Sequence, residues 1–318
     1  MAAFPAGSDP TPDRSDGSAW PTAAVAAELQ HILDRWSADS GRGRERPARV
    51  EVDAVASTGS TNTDLLDWAR EHRASEPSVV VRVAQSQTAG RGRLGRQWQA
   101  VPGASLTFSL AMCLNPAAAW GGLSLAVGHA VAQVLQPWAE GRPERGPGWL
   151  MLKWPNDLWW FDREPREAAA RARGRKVAGI LIETLPAASG GRWVVVGLGV
   201  NVNAPALLAA DRSCDGVAGT AEWRPQDDAP TLWRALMPPL LESLLVFEAQ
   251  GFAPLRSAVQ ARELLTGQAV GLSSGPCRQG WCEGLGDDGA LLVRHEGVLH
   301  RIVAGEVQVR PAATGAEG

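Results

Sequence analysis

Gly90-Arg91-Gly92-Arg93-Leu94-Gly95-Arg96-Gln97-Trp98 separates two apolar stretches, Val79 to Ala84 and Ser105 to Cys113, that read as β-strands. Taken alone, the first six residues fit the dinucleotide fingerprint GxGxxG. That fingerprint works by opening a helix whose N-terminus receives a pyrophosphate. Here the chain runs through Arg96 and Trp98 toward another strand, so the context excludes a Rossmann site. What remains is an anion-binding loop or a solvated basic turn. Gly90, Gly92 and Gly95 let backbone amides approach an anion, and Arg91, Arg93 and Arg96 supply planar forks for phosphate or carboxylate. The neighbouring segments decide between the two.

Upstream, Val50, Val52 and Val55 alternate as a strand leading into STGSTNTDLLDWA (residues 57–69). There Ser60, Thr61 or Asn62 can cap a helix carrying Leu65, Leu66 and Trp68, which places polar side chains at a helix mouth. Downstream, Leu123, Val127, Val131 and Val134 recur at helical spacing in a buried helix. WLMLKWPNDLWW (149–160) reads as a strand ending in a Pro-Asn-Asp turn. The charged, alanine-rich DREPREAAARARGR (162–175) reads as a surface loop. KVAGILIETL (176–185) and RWVVVGLGVNVN (192–203) then form a hairpin through AASGG. Helical patterning over 231–265 is interrupted by Pro238 and Pro239. From Gly267 short strands and glycine turns have the spacing of a small barrel.

The chain of 318 residues is long enough for one sizeable domain and a small one. Its formal net charge of -3 excludes an overall basic field for holding nucleic acid. Four scattered cysteines, Cys113, Cys214, Cys277 and Cys282, make no disulfide framework and fit a reducing cytoplasm; with no second pair or histidine cluster, they make no protein-held metal site either. The run Ala117 to Leu135 is interrupted by Gly121, Gly122, Ser124, His129 and Gln133, so no membrane span is expected. Before Val50 one amphipathic helix is legible, with Val25, Leu29, Ile32, Leu33 and Trp36 on one face. A winged helix-turn-helix needs three helices and a hairpin, so specific DNA binding is not expected.

GRGRLGRQW followed by Lys153-Trp154-Pro155-Asn156-Asp157-Leu158, with Ser60-Thr61-Asn62 before them and Lys176, GILIE (179–183) and GLGVNVN after, resembles the biotin protein ligase family over roughly residues 50–310. The type implied is monofunctional, without an N-terminal winged helix. The resemblance implies an α+β fold: a mixed β-sheet flanked by helices, like class II aminoacyl-tRNA synthetases and lipoate ligases, with a C-terminal SH3-like barrel. The expected organisation is a tail with one helix over 1–49, a catalytic domain over 50–266, the SH3-like domain over 267–311 and a tail over 312–318. The implied activity makes biotinyl-5'-AMP from biotin and ATP, then transfers biotin to a lysine of a biotin carboxyl carrier protein. Mg²⁺ is expected with the ATP phosphates, near Asp157, and the protein is expected to be a monomer or weak homodimer.

Residue by residue, the resemblance places Ser60, Thr61 and Asn62 in the biotin pocket, with Gln87 on the ureido ring. Gly90, Arg91 and Gly92 form the covering loop, and Arg93 meets the biotin carboxylate and adenylate phosphate. Arg96, Trp98, Asn156 and Asp157 serve the nucleotide, Gly179 and Asn201 complete the ligand walls, and Lys176 is the principal catalytic cation. Asp157 has two open readings, a base for the carrier amine or a turn-former and metal partner. The chemistry needs such residues because a carboxylate attacking a phosphate joins two anions, and fixed cations stabilise the charge that develops. A lipoate ligase is disfavoured: its RR-x-x-GGG-x-VYHD segment is missing, and the chain contains no tyrosine. An RNA-binding reading of GRGR would need interleaved exposed aromatics over a wider patch, which the sequence lacks. Two departures from the family stand out, Leu94 in the loop and the long segment between Asp157 and Lys176.

Overall fold

The computed structural model describes residues 20–39, 49–72, 78–115, 120–136, 148–165, 168–171, 173–188, 190–203, 216–273, 275–303 and 309–311. Contacts divide the chain into two units: 1–115, 177–210 and 217–242 form the first, and 116–176, 211–216 and 243–318 the second.

In the first unit helix α1 (Thr22–Asp39) precedes strand β1 (Arg49–Thr58), helix α2 (Thr61–Glu71), β2 (Ser78–Gln87) and β3 (Ser105–Leu114). Two long strands follow, β6 (Arg175–Pro186), which enters this unit after Lys176, and β7 (Arg192–Asn201). The sheet runs β1-β2-β3-β7-β6, with β1 and β2 parallel and the other pairs antiparallel. β3 is buried along almost its whole length, as befits a central strand, including Ser105, Thr107 and Ser109, which alternate with its apolar residues. Helix α2 exists because Leu65, Leu66, Trp68 and Ala69 fall on one face, and it buries them against Val80, Ala111, Trp193 and Val195. Trp68 meets Trp193 edge to face at 5.2 Å.

Helix α1 is equally committed. Val25, Leu29, Ile32 and Leu33 are buried, α1 packs on β1, and Glu28 pairs with Arg234 of α5 (Ala229–Gln250). The sequence expectation of a break at Pro238 and Pro239 is corrected: α5 is continuous through both. An interior proline costs about 3 kcal/mol. Around this pair Trp233, Leu236, Met237, Leu240, Leu241 and Leu244 are each 0–1% exposed, and such burials contribute roughly 1.5–3 kcal/mol apiece. Burial wins.

The second unit holds α3 (Leu123–Leu135), the hairpin β4 (Trp149–Lys153) and β5 (Asp157–Phe161), and the short helices α4 (Ala168–Arg171) and α6 (Arg256–Gln260). β5 was not anticipated; Leu158 to Phe161 belong to a second strand, all buried. The segment 162–175 is likewise more than a surface loop. Arg171 on α4 donates to the carbonyls of Pro165, Leu264 and Thr266 at 2.9, 3.0 and 2.7 Å. The last strands, β8 (Ala269–Leu272), β9 (Gln279–Leu285), β10 (Leu291–His295), β11 (Val298–Ile302) and β12 (Val309–Pro311), form a separate antiparallel sheet in the order β11-β10-β9-β8-β12. This is the small SH3-like element the glycine-punctuated pattern indicates. Among the described residues no helix is long and apolar enough to cross a membrane.

Candidate active site

The first turn of α2 lies against the sheet of the first unit. Ser60 takes the N-cap position with extended backbone but makes no side-chain capping bond. Gln87, at the end of β2, fills that role: its Oε1 accepts from the Thr61 amide at 2.8 Å and from Thr61 Oγ1 at 3.2 Å. Ser109 on β3 donates its hydroxyl toward Asn62 Oδ1 at 2.6 Å and lies 2.8 Å from Thr61 Oγ1. Asn62 Nδ2 in turn donates to Glu183 Oε2 at 3.0 Å and the Leu181 carbonyl at 3.3 Å. Ser60, Thr61 and Asn62 are nearly fully buried, so these bonds fix a desolvated polar cluster.

The glycine loop is a tight excursion. The Trp98 amide donates to the Gly90 carbonyl at 2.9 Å, and the Gly92 amide to the Arg96 carbonyl at 2.7 Å. Residues 93–95 make one 3₁₀ turn, with Leu94 at φ 58 and Gly95 at φ 75, so no helix opens here and the Rossmann reading is closed. Arg91 is spoken for: its guanidinium donates to Glu183 Oε1 at 2.8 Å and reaches Thr63 Oγ1 at 3.4 Å. Glu183 thus links the loop to Asn62. Arg93 is half-buried and Arg96 exposed.

Two glycines of β7 make room for this cluster. A Cβ on Gly197 would stand 2.1 Å from Asn62 Oδ1, and one on Gly199 would stand 2.2 Å from Cε2 of Trp98. Gly199 also faces Gly179 across the β6–β7 ladder, and Asn201 is buried at the end of β7. Within the first unit, therefore, Ser60, Thr61, Asn62, Gln87, Gly90, Arg91, Trp98 and Gly179 come together. Ser109 joins them without a sequence signal, and Glu183, Gly197 and Gly199 join them as members of the GILIE and GLGVNVN motifs to which no individual role was given.

In the second unit the turn between β4 and β5 carries Asn156 and ends at Asp157, whose Oδ1 lies 2.9 Å from Lys176 Nζ at the start of β6. The turn is held from behind. The Trp154 indole donates to the Gly289 carbonyl at 3.0 Å, and the Trp154 amide lies 3.4 Å from the Glu263 carboxylate. Glu263 is 3% exposed; burial pushes its carboxyl up, opposed by the amides of Leu265 and Thr266 and the Thr266 hydroxyl. Lys153 lies over the Trp159 ring, 4.1 Å from its centre. Among the described residues no group of three or more His, Cys, Asp or Glu side chains could hold a metal ion. Asp157 could supply one carboxylate ligand to an ion arriving on phosphates, the usual manner of Mg²⁺.

The biotin/lipoate A/B protein ligase family model matches residues 54–201. The bifunctional ligase/repressor BirA of Escherichia coli (strain K12) is 32% identical over 314 residues, covering 91% of this chain and 89% of its own. The biotin–[acetyl-CoA-carboxylase] ligase of Paracoccus denitrificans is 31% identical over 261 residues, covering 80% of this chain and 98% of its own. The chain belongs to the biotin protein ligase family. A solved structure agrees: the biotin protein ligase from Aquifex aeolicus in complex with biotin and ATP has a TM-score of 0.61 at 26% identity, covering 82% of this chain and 99% of that one. As in other biotin protein ligases the sheet is mixed and flanked by helices, with a separate C-terminal sheet.

Proposed function

We propose that this chain joins biotin to ATP as biotinyl-5'-AMP and passes the biotinyl group to a lysine of a biotin carboxyl carrier protein, as a biotin–[acetyl-CoA-carboxylase] ligase. The observation that carries the reading is the arginine-glycine loop tied by Arg91 and Glu183 to the desolvated Thr61–Asn62–Ser109 cluster. A buried set of amide and hydroxyl groups beside a cationic loop suits a small, uncharged polar head on an acid chain. Within it, Ser60, Thr61, Asn62 and Gln87 serve the ureido head, and Gly90, Arg91 and Gly92 cover the ligand. Arg93 meets the carboxylate and the adenylate phosphate, Arg96 and Trp98 serve the nucleotide, and Gly179 and Asn201 complete the walls. In the second unit Asn156, Asp157 and Lys176 act on the nucleotide.

In the first step a biotin carboxylate oxygen attacks the α-phosphorus and pyrophosphate leaves. Lys176 and Arg93 would each supply positive charge for the phosphate oxygens, the stabilisation this transition state needs. Mg²⁺ would be held by the ATP phosphates with Asp157 and would neutralise the departing pyrophosphate. In the second step the carrier amine attacks the acyl carbon of the mixed anhydride and AMP leaves, with the protein supplying position. The pairing of Asp157 with Lys176 favours a charge-positioning role for this carboxylate over that of amine base.

The organisation proposed is a catalytic domain over 50–266 and an SH3-like domain over 267–311. The chain would act as a monomer or weak homodimer in the cytoplasm. Among the described residues Cys113, Cys277 and Cys282 are in no disulfide, which supports a reducing compartment. Incubation with labelled biotin, ATP and Mg²⁺, with and without a carrier domain, tests the whole reading. Label should enter an adenylate first and the carrier second; no label in either would refute it.

A further inference from the structure

Arg82 sits in an otherwise apolar stretch of β2, Val79-Val80-Val81-Arg82-Val83, with its side chain 3% exposed. An arginine is rarely placed so deep without a partner. In register it faces Asp53 of β1 on one side and Ser109 of β3 on the other. Ser109 faces Gly197 of β7, and Gly197 faces Leu181 of β6. Directly opposed residues share a sheet face, so these five form one row across five strands.

The row is the bed of the first turn of α2. Arg82 bridges two carboxylates, Asp53 Oδ2 and Asp64 Oδ2, each at 3.4 Å. Asp64 lies in that first turn and also receives the Thr58 hydroxyl at 2.8 and 3.0 Å. Ser109 meets Thr61 and Asn62, the missing side chain of Gly197 leaves space for Asn62, and the Leu181 carbonyl accepts from it. Burial pushes the Asp64 carboxyl up, opposed chiefly by the Arg82 charge, so the bridge is made in a desolvated place.

Stability alone does not account for such an arrangement, because replacing a buried ion pair by well-packed apolar groups is often neutral or stabilising. What an apolar set cannot do is fix direction. We propose that Arg82 is a positioning residue for the biotin pocket: anchored on Asp53, it sets through Asp64 the depth and rotation at which α2 presents Thr61 and Asn62. This rests on the ligase reading, in which those two side chains meet biotin.

The test uses the full chain. Arg82→Met alone would strand two carboxylates, so it is combined with Asp53→Asn and Asp64→Asn. We expect a folded protein whose KM for biotin rises about tenfold, the scale expected when a pocket is displaced by a fraction of an ångström. The calorimetric Kd for biotin should weaken by the same factor, with kcat and the KM for ATP within about twofold of the parent. The single variant Arg82→Lys, which keeps the charge but not the fork, should give a smaller rise in biotin KM. A folded triple variant with parental biotin KM and Kd would overturn the proposal, as would losses in kcat and ATP KM equal to the loss for biotin. Should the triple variant not fold, a parental biotin KM in Arg82→Lys overturns it. A parent chain that makes no biotinyl adenylate would instead refute the ligase reading, and the inference with it.

Discussion

Gly197→Ala adds one methyl group 2.1 Å from Asn62 Oδ1, so the Asn62 amide must shift. The backbone there is an ordinary strand, so alanine introduces no conformational strain, and the whole effect falls on Asn62. That amide holds one bond from Ser109, one to the Leu181 carbonyl and one to the Glu183 carboxylate. Neutral hydrogen bonds contribute about 1 kcal/mol each and one to a charged group about 2 kcal/mol, giving an upper bound near 4 kcal/mol. Relaxation of the amide recovers part of this. A loss of about 2–3 kcal/mol in biotin binding corresponds to a roughly 30- to 150-fold weaker Kd. Calorimetry with biotin alone reads it directly, and Gly199→Ala serves as the contrast, because its Cβ meets Trp98 rather than Asn62. Gly199→Ala should act chiefly on the KM for ATP. Equal biotin Kd values for Gly197→Ala and the parent would refute the placement of Asn62 in the pocket.

Further outcomes follow from the same geometry. Lys176→Ala should slow adenylate formation by about 100- to 1000-fold while the circular dichroism spectrum stays parental, and near-normal single-turnover rates would remove Lys176 from the chemistry. Arg93→Ala should weaken a non-hydrolysable adenylate analogue in calorimetry without lowering Tm; unchanged affinity would reduce the loop to a solvated turn. Arg171→Ala leaves the Leu264 and Thr266 carbonyls without their donor, which should cost about 2 kcal/mol and lower Tm by on the order of 4 °C, where a mere surface loop would show no shift. The chain should not bind a biotin-gene promoter specifically, since α1 is spent on β1 and α5; saturable binding in a gel shift that survives excess random DNA at physiological salt would contradict this.

The elements whose signal is local were legible. The alternation at Val50 to Val55, the apolar face of α2 and the glycine turns after Gly267 each state their structure within a dozen residues. Other features were decided at a distance. Trp159 and Trp160 lie buried in β5, a strand whose pairing with β4 no local signal announces. Pro238 and Pro239 signal a break that buried leucines overrule. Gly197 and Gly199 stand in the GLGVNVN motif, but their part is not legible there, because a glycine that makes room is defined by the neighbour it admits. Arg82 did leave a mark, a lone cation inside a valine strand, and such an interruption merits the question of what it pairs with. Ser109 left none, being one of three hydroxyl residues that alternate with apolar ones along β3.

The clamps on the turn that carries Asn156 and Asp157 come from far along the chain: Glu263 reaches the Trp154 amide and Gly289 receives its indole. During vectorial synthesis on a ribosome the turn is made early and its supports late. A nascent polypeptide halted before Glu263 can pair its β4 and β5 strands yet lacks the hydrogen-bond partners of the Trp154 amide and indole. Adenylating competence should therefore switch on late in translation, so that prematurely terminated products remain inert and do not hydrolyse ATP.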